Sequence, residues 1–313
     1  MRYIISSYGR ANQVKTLETM PEQCIGSIEL WVRPEELKEY KKQWFSTKVR
    51  KIRVWPDEID CIAKKRKWLG DEYGASFTLI DDDLSMYVWD NKQEKFVRAS
   101  LKPKKFIREF EEVFPSLFDT YKSVSLPMKL FADQRARALL AERGDLIAEN
   151  QLGYVFSGYK KKALSGLDHK VFVFTDLSVS LQQYRRSGSS VVYYGMCWQQ
   201  SSAKSLANSG VGSYRSDLVK RDSALKMMKL YPGIITGYKA NKETNGGGIS
   251  IIKKVRRVGE VADKHVNETN TNLKSLLKEN RLKRVPKIFD IEYDMPRQYI
   301  EDLIKSNWKE VQK

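Results

Sequence analysis

Short apolar blocks alternate with polar, helix-compatible stretches along the first part of the chain. Tyr3-Ile4-Ile5 reads as a strand that runs into the small, polar loop Ser6-Ser7-Tyr8-Gly9-Arg10. A helix is predicted over Asn12 to Met20, and a second strand over Ser27 to Val32, ending in Arg33-Pro34-Glu35. Glu35 to Tyr40 reads as a helix, and Lys51 to Trp55 as a third strand ending at Pro56-Asp57. Asp60 has the position of an N-cap for a helix reaching Leu69. Phe77 to Ile80 is a fourth apolar run of strand length. Strands alternating with helices predict an α/β fold with a mostly parallel sheet. Ligands of such sheets bind beyond the carboxyl ends of the strands. Ser6 to Arg10, Glu35, Asp57 and Asp81 to Asp83 fall at those ends.

The pattern then changes. Met86 to Val97 alternates around Asp90-Asn91 and predicts a hairpin. Phe106, Ile107, Phe110, Val113, Phe114 and Leu117 recur at helical spacing within Pro103 to Phe118, an amphipathic core helix. Met128 to Ala148 is mixed, with Arg135, Arg137 and Arg143. Ser157 to Asp168, Ser187 to Ser190 and Gln199 to Ser216 are polar and rich in Ser, Gly or Lys, and read as loops of the kind that close over ligands. Asn245-Gly246-Gly247-Gly248 is a flexible break. The last 55 residues alternate Lys and Arg with acids and read as an accessory helical segment.

The fourth apolar run ends in Asp81-Asp82-Asp83. Adjacent carboxylates repel one another, and the cluster becomes favourable when a cation binds it or water solvates it. Oxygen-only ligands suit Mg2+ or Mn2+ rather than zinc. The ligands would be Asp81 and Asp83, or the neighbours Asp82 and Asp83, with phosphate oxygens and water completing an octahedron. The competing reading is a solvated turn after a core strand.

Other chemistries are poorly provided for. The chain has two histidines, His169 and His265, which leaves little room for histidine catalysis or zinc. No Gly-x-x-x-x-Gly-Lys-Ser/Thr motif is present, which argues against a P-loop ATPase. Cys24, Cys61 and Cys197 are widely spaced, form no metal pattern and are expected to be reduced and mostly buried. No apolar stretch approaches the roughly 20 residues of a membrane span. Met1-Arg2-Tyr3 runs straight into a strand without a signal-peptide region, so a cytoplasmic location is expected. With 313 residues and 41% hydrophobic content, one large α/β domain plus an appendage can form.

A strand running into Ser-x-x-Arg, three further strand–helix steps and a strand closing in Asp-x-Asp resemble the GT-A glycosyltransferases. The resemblance implies a GT-A-like domain over 1–258, with a nucleotide-sugar half over 1–90 and an acceptor half over 91–258, followed by a basic helical segment over 259–313. It further implies a metal on Asp81 and Asp83, and a nucleotide sugar (a UDP-sugar) contacted by Ser6, Ser7, Arg10, Glu35, Asp57, Arg66, Asp81 and Asp82. Arg10, or a late cation among Lys253, Lys254 and Arg256, would assist the departing diphosphate. His169 to Gly188 is similar to the family's segment of an acidic residue followed by a helix, with Thr175-Asp176 where Glu-Asp is usual. By that likeness Asp176 is the acceptor-activating base. The alternative is that it caps a helix over Leu177 to Tyr184.

A narrower likeness is to the TET/JBP-associated glycosyltransferases, linked in phage clusters to sugars on hydroxymethylated DNA bases. It rests on Val32-x-Pro34-Glu35-x(4)-Tyr40, the basic helix after the third strand, the aspartate strand, Gly212-Ser213-Tyr214-Arg215-Ser216-Asp217 and Tyr231-Pro232. It implies a double-stranded, base-modified DNA acceptor, such as 5-hydroxymethylcytosine, in a phage-infected bacterial cell.

The charge bears on that acceptor. The net charge is +17, more than a diphosphate requires. Basic residues cluster at Lys64-Lys65-Arg66-Lys67, at Lys102, Lys104 and Lys105, and at Lys160-Lys161-Lys162. Together with Arg215, the last two groups are the candidate contacts to nucleic acid. An anionic membrane surface competes as the partner. Three readings stay open: a DNA-base glycosyltransferase, the same chemistry on a polysaccharide, lipid-linked or protein acceptor, and a nonenzymatic nucleic-acid-binding protein.

Overall fold

A computed structural model describes residues 1–44, 49–59, 62–149, 155–167, 190–200, 235–241 and 246–251, with single positions and pairs between. The chain opens with β1 (Arg2–Ser6), α1 (Lys15–Thr19), α2 (Glu22–Ile25), β2 (Ile28–Val32), α3 (Leu37–Trp44), β3 (Lys51–Val54), α4 (Ile62–Asp71) and β4 (Phe77–Asp81). Next come β5 (Leu84–Asp90), β6 (Lys95–Arg98), α5 (Pro103–Arg108), α6 (Phe114–Ser116), β7 (Ser123–Ser125), α7 (Lys129–Arg143), β8 (Ile147–Glu149) and β9 (Ser157–Tyr159). The remaining described strands are β10 (Ser190–Tyr193), β11 (Met196–Gln200), β12 (Ile235–Asn241) and β13 (Gly246–Ile251).

Eight strands form one sheet in the order β3-β2-β1-β4-β9-β7-β10-β8. β3, β2, β1 and β4 are mutually parallel, β7 pairs in parallel with β10, and β9 and β8 run against their neighbours. The fold is therefore the expected α/β class with a mostly parallel sheet. Alternation along the buried strands sends side chains to two cores. Tyr3, Ile5, Leu30, Val32 and Ile80 pack with Leu17, Met20, Tyr40 and Trp44 of the early helices. Ile4, Trp31, Phe77 and Leu79 pack on the other face with Leu69 of α4 and with Trp55 and Tyr159.

The expected hairpin is β5 and β6, joined by a turn in which Asp90 Oδ1 accepts the Lys92 N–H at 3.0 Å. The expected amphipathic helix spans Pro103 to Asp119, with a π turn at Glu109–Val113 between α5 and α6. Phe106, Phe110, Phe114 and Phe118 of that run are all buried in the first core. The mixed segment resolves into α7, which Gly144 ends in the left-handed conformation (φ 72°), and β8. The described cysteines, Cys24 and Cys197, are free and buried, and burial pushes the Cys24 thiol up to about 12.

The loop expected from Ser157 is a correction. Ser157-Gly158-Tyr159 is a fully buried central strand, antiparallel to both β4 and β7. Glycine is required there because a Cβ at 158 would lie 2.4 Å from Phe118 Cζ and 2.8 Å from Thr78 Oγ1. Gly158→Ala is accordingly expected to cost about 1–3 kcal/mol by overpacking. Chemical denaturation checks this, and an unchanged midpoint would show that the Phe118 ring yields freely.

Candidate functional site at the carboxyl edge of the sheet

The register brings the predicted ligand ends together. Ser6, the last residue of β1, stands beside Asp81 of β4 on one side and Trp31 of β2 on the other. The three aspartates form the tight connection from β4 to β5, which changes sheets at that point. Thr16, at the start of α1, holds this turn. Its hydroxyl donates to the Asp81 carbonyl at 2.6 Å and accepts the Leu84 N–H at 2.9 Å, and its own N–H reaches the Asp82 carbonyl at 3.1 Å.

The carboxylates have different surroundings. Asp81 is half-buried, while Asp82 and Asp83 are buried. Asp82 Oδ1 accepts from Arg10 Nη1 at 2.5 Å, and Asp82 Oδ2 accepts from Ser7 Oγ at 2.5 Å. Since an ionised carboxylate only accepts, Ser7 gives its hydrogen to Asp82 and receives one from Tyr40 Oη at 2.7 Å. Tyr40 Oη in turn accepts the Arg10 N–H at 3.1 Å. Arg10, Tyr40, Ser7 and Asp82 thus close a ring that fixes the loop after β1. Burial pushes the Asp82 carboxyl above the ordinary carboxylate value, opposed by the Arg10 guanidinium and the Ser7 hydroxyl. Burial also raises the Tyr40 phenol, which keeps it a donor.

Asp83 is arranged otherwise. Its Oδ2 accepts from Gln200 Nε2 at 3.1 Å and lies 3.7 Å from Arg10 Nη1. Its Oδ1 is buried without a hydrogen-bond partner. A buried carboxylate oxygen in that state is costly. The half-buried Asp81 precedes it by two residues, so the donor set suits a hard divalent cation. Among the described residues no group of three or more His, Cys, Asp or Glu side chains converges on one point. A cation held here by Asp81 and Asp83 would take its remaining ligands from water and a bound phosphate, the usual manner for Mg2+.

The rest of the edge is basic and aromatic. Lys65, on α4 and only 4% exposed, donates to Ser6 Oγ at 2.7 Å and lies 5.2 Å from the Trp55 ring centroid. The family resemblance singled out its neighbour Arg66, which is also buried on α4. Lys65 carried no mark beyond its place in a basic run. The Arg33 guanidinium sits 4.0 Å above the Tyr8 ring and 3.7 Å from Glu35, whose own side chain is largely exposed. Glu36, rather than Glu35, reaches the loop after β1 by accepting the Gly9 N–H at 2.5 Å. Asp57 is exposed just beyond β3.

Among the described residues, the expected nucleic-acid contacts do not flank the aspartates. Lys160, Lys161 and Lys162 are exposed directly after β9. There the Lys161 N–H bonds Ser76 Oγ, and Ser76 precedes β4. Because β9 runs against β4, these lysines stand at the amino edge of the sheet, roughly 15 Å along a five-residue strand from Asp81. Lys102 pairs with Asp90 at 2.9 Å, at the far end of β5, and its hydrogen bond holds the Asp90 carboxyl below its ordinary value. Lys104 and Lys105 follow on α5, exposed and half-exposed respectively. Asp176, Arg215, Lys253, Lys254, Arg256, both histidines and the segment 259–313 lie outside the described residues.

No family model matches the chain, and no curated protein matches it. Among solved structures it is similar to glucosyl-3-phosphoglycerate synthase from Mycobacterium tuberculosis in complex with Mg2+ and uridine-diphosphate. The TM-score is 0.39 at 9% identity, over 83% of this chain and 90% of that one. It is also similar to S. aureus TarS 1-349 in complex with UDP, with a TM-score of 0.38 at 12% identity, over 91% of this chain and 78% of that one. Likeness at this level carries no functional weight.

Proposed function

We propose that this chain is a metal-dependent glycosyltransferase that takes a sugar from a nucleotide sugar, a UDP-hexose. We propose as its acceptor the hydroxyl of a hydroxymethylated base, 5-hydroxymethylcytosine, in double-stranded DNA. The observation that carries the donor half is Asp83 Oδ1, a buried carboxylate oxygen without a hydrogen-bond partner at the carboxyl edge, two residues from the half-buried Asp81. Asp81 and Asp83 would hold a Mn2+ or Mg2+ ion, which when bound supplies positive charge against the departing diphosphate. Arg10 fixes the loop beside them through Asp82, and Lys65 and Ser6 place a cation and a hydroxyl at the same edge.

In the reaction proposed, the bond between the anomeric carbon and the diphosphate oxygen breaks, and that oxygen keeps the electron pair. The acceptor oxygen forms the new bond, and its proton passes to a base, the role we assign to Asp176. The net charge of +17 supports the DNA acceptor. The position of Lys160 to Lys162 at the opposite sheet edge favours a second reading, in which the same donor chemistry serves a polysaccharide, lipid-linked or protein hydroxyl. Among the described residues no helix is long and apolar enough to cross a membrane.

One experiment tests both halves. The full chain is incubated with Mn2+, a panel of UDP-sugars and hydroxymethylated DNA, and the digested nucleosides are weighed by mass spectrometry. The expected product is a nucleoside heavier by one sugar residue. Donor hydrolysis without that product removes DNA and leaves the second reading. No hydrolysis of any donor removes the enzymatic readings together.

A further inference from the structure

We infer that Gln200 is a positioning residue for the cation at this edge, acting through the orientation of Asp83. The inference rests on the reading of Asp83 as a cation ligand. Gln200 is the last residue of β11, and its backbone pairs with Leu84, immediately after Asp83. Its amide donates to Asp83 Oδ2 at 3.1 Å, across 117 residues of sequence. That bond holds one oxygen of the carboxylate and leaves Oδ1 as the oxygen without a hydrogen-bond partner.

The chemistry of the donor matters as much as its place. A carboxylate rotates about its last bond unless something fixes it, and an unfixed ligand loses rotational freedom when a metal binds. A neutral amide fixes it and adds no net charge. An ammonium or guanidinium in the same position would compete with the cation for Asp83. Arg10 lies farther, at 3.7 Å from Asp83 Oδ2, and its short contact is with Asp82 at 2.5 Å. The near group on Asp83 is thus the neutral one. Gln200 comes from the part of the chain expected to handle the acceptor, so β11 ties that half to the donor-side carboxylate. The neighbouring Gln199 makes a different bond, accepting from Tyr87 Oη at 2.9 Å, and serves as the internal control.

The test measures metal binding directly. Free Mn2+ is followed by its electron paramagnetic resonance signal as the full chain is titrated with saturating UDP present, because UDP oxygens complete the shell. Gln200→Met keeps the side-chain length and removes the donor, and Gln200→Ala shortens it. Both are expected to weaken Mn2+ binding about 10–100-fold, while Gln199→Ala leaves it unchanged. Turnover of the Gln200 variants is expected to return toward that of the unaltered chain at saturating Mn2+, since the lost interaction acts on binding. Thermal midpoints equal to that of the unaltered chain keep the effect distinct from unfolding. If Gln200→Met and Gln200→Ala bind Mn2+ as the unaltered chain does, Gln200 is a structural tie and the inference is overturned. If the unaltered chain takes up no Mn2+ with UDP, the reading of Asp83 as a ligand falls first, and the role of Gln200 falls with it.

Discussion

Asp83→Asn is expected, on the proposed reading of Asp83 as a cation ligand, to reduce metal-dependent turnover by roughly 10³-fold or more, because several kcal/mol of charge stabilisation at the departing diphosphate would depend on holding the cation. The substitution keeps the shape of the side chain and removes the charge. It also relieves repulsion with Asp82, whose carboxyl Asp83 helps to push upward. The apo protein should therefore be at least as stable as before, and the activity loss should not be a folding loss. Donor hydrolysis in Mn2+, together with thermal melting without metal, checks both parts. Full turnover by Asp83→Asn, or turnover indifferent to excess chelator, would sink the metal role.

Arg10→Met is expected to destabilise the fold by about 3–5 kcal/mol, because it leaves the buried Asp82 carboxylate without its counter-charge. Side chains of the pair are 12% and 9% exposed, at 2.5 Å. The sign of the pH dependence follows from Asp82. Its folded carboxyl is already raised by burial, and losing Arg10 raises it further. A group raised in the folded state contributes stability below its unfolded value, about 3.9 for Asp, and loses it as the pH climbs through the folded value. The penalty of Arg10→Met should hence be largest at neutral pH and shrink as the pH falls toward about 4. Adding Asp82→Asn should recover much of the loss at neutral pH, because the stranded charge is gone. Denaturation curves of both single variants and the double variant at two pH values decide this. A penalty that is flat with pH would mean that Arg10 acts by packing alone.

The loops that meet at this site were readable because short apolar runs with buried residues on both faces mark parallel strands. Tyr3 to Ile5, Ile28 to Val32 and Phe77 to Ile80 carry that mark without help from distant residues. Their carboxyl ends follow directly, so Ser6, Ser7, Arg10 and the aspartates could be named together. The phenylalanines at 106, 110, 114 and 118 kept helical order for the same reason. Local pattern records burial and period.

Local pattern does not record partners. Asp82 meets Arg10 across 72 residues and Ser7 across 75, and Asp83 meets Gln200 across 117. Three neighbouring aspartates look alike in sequence and differ in the fold because the Asp82 and Asp83 carboxylates find different donors and Asp81 is less buried than either. Ser157-Gly158-Tyr159 reads as a polar loop, and becomes a central strand because β4, β7 and two phenylalanine rings leave room there for a glycine and nothing larger. The antiparallel run of that strand also carries Lys160 to Lys162 away from the aspartates. Composition set the charge of this chain and periodicity set its early strands. Strand order and direction set which charges face the site, because those depend on pairings between segments far apart in sequence.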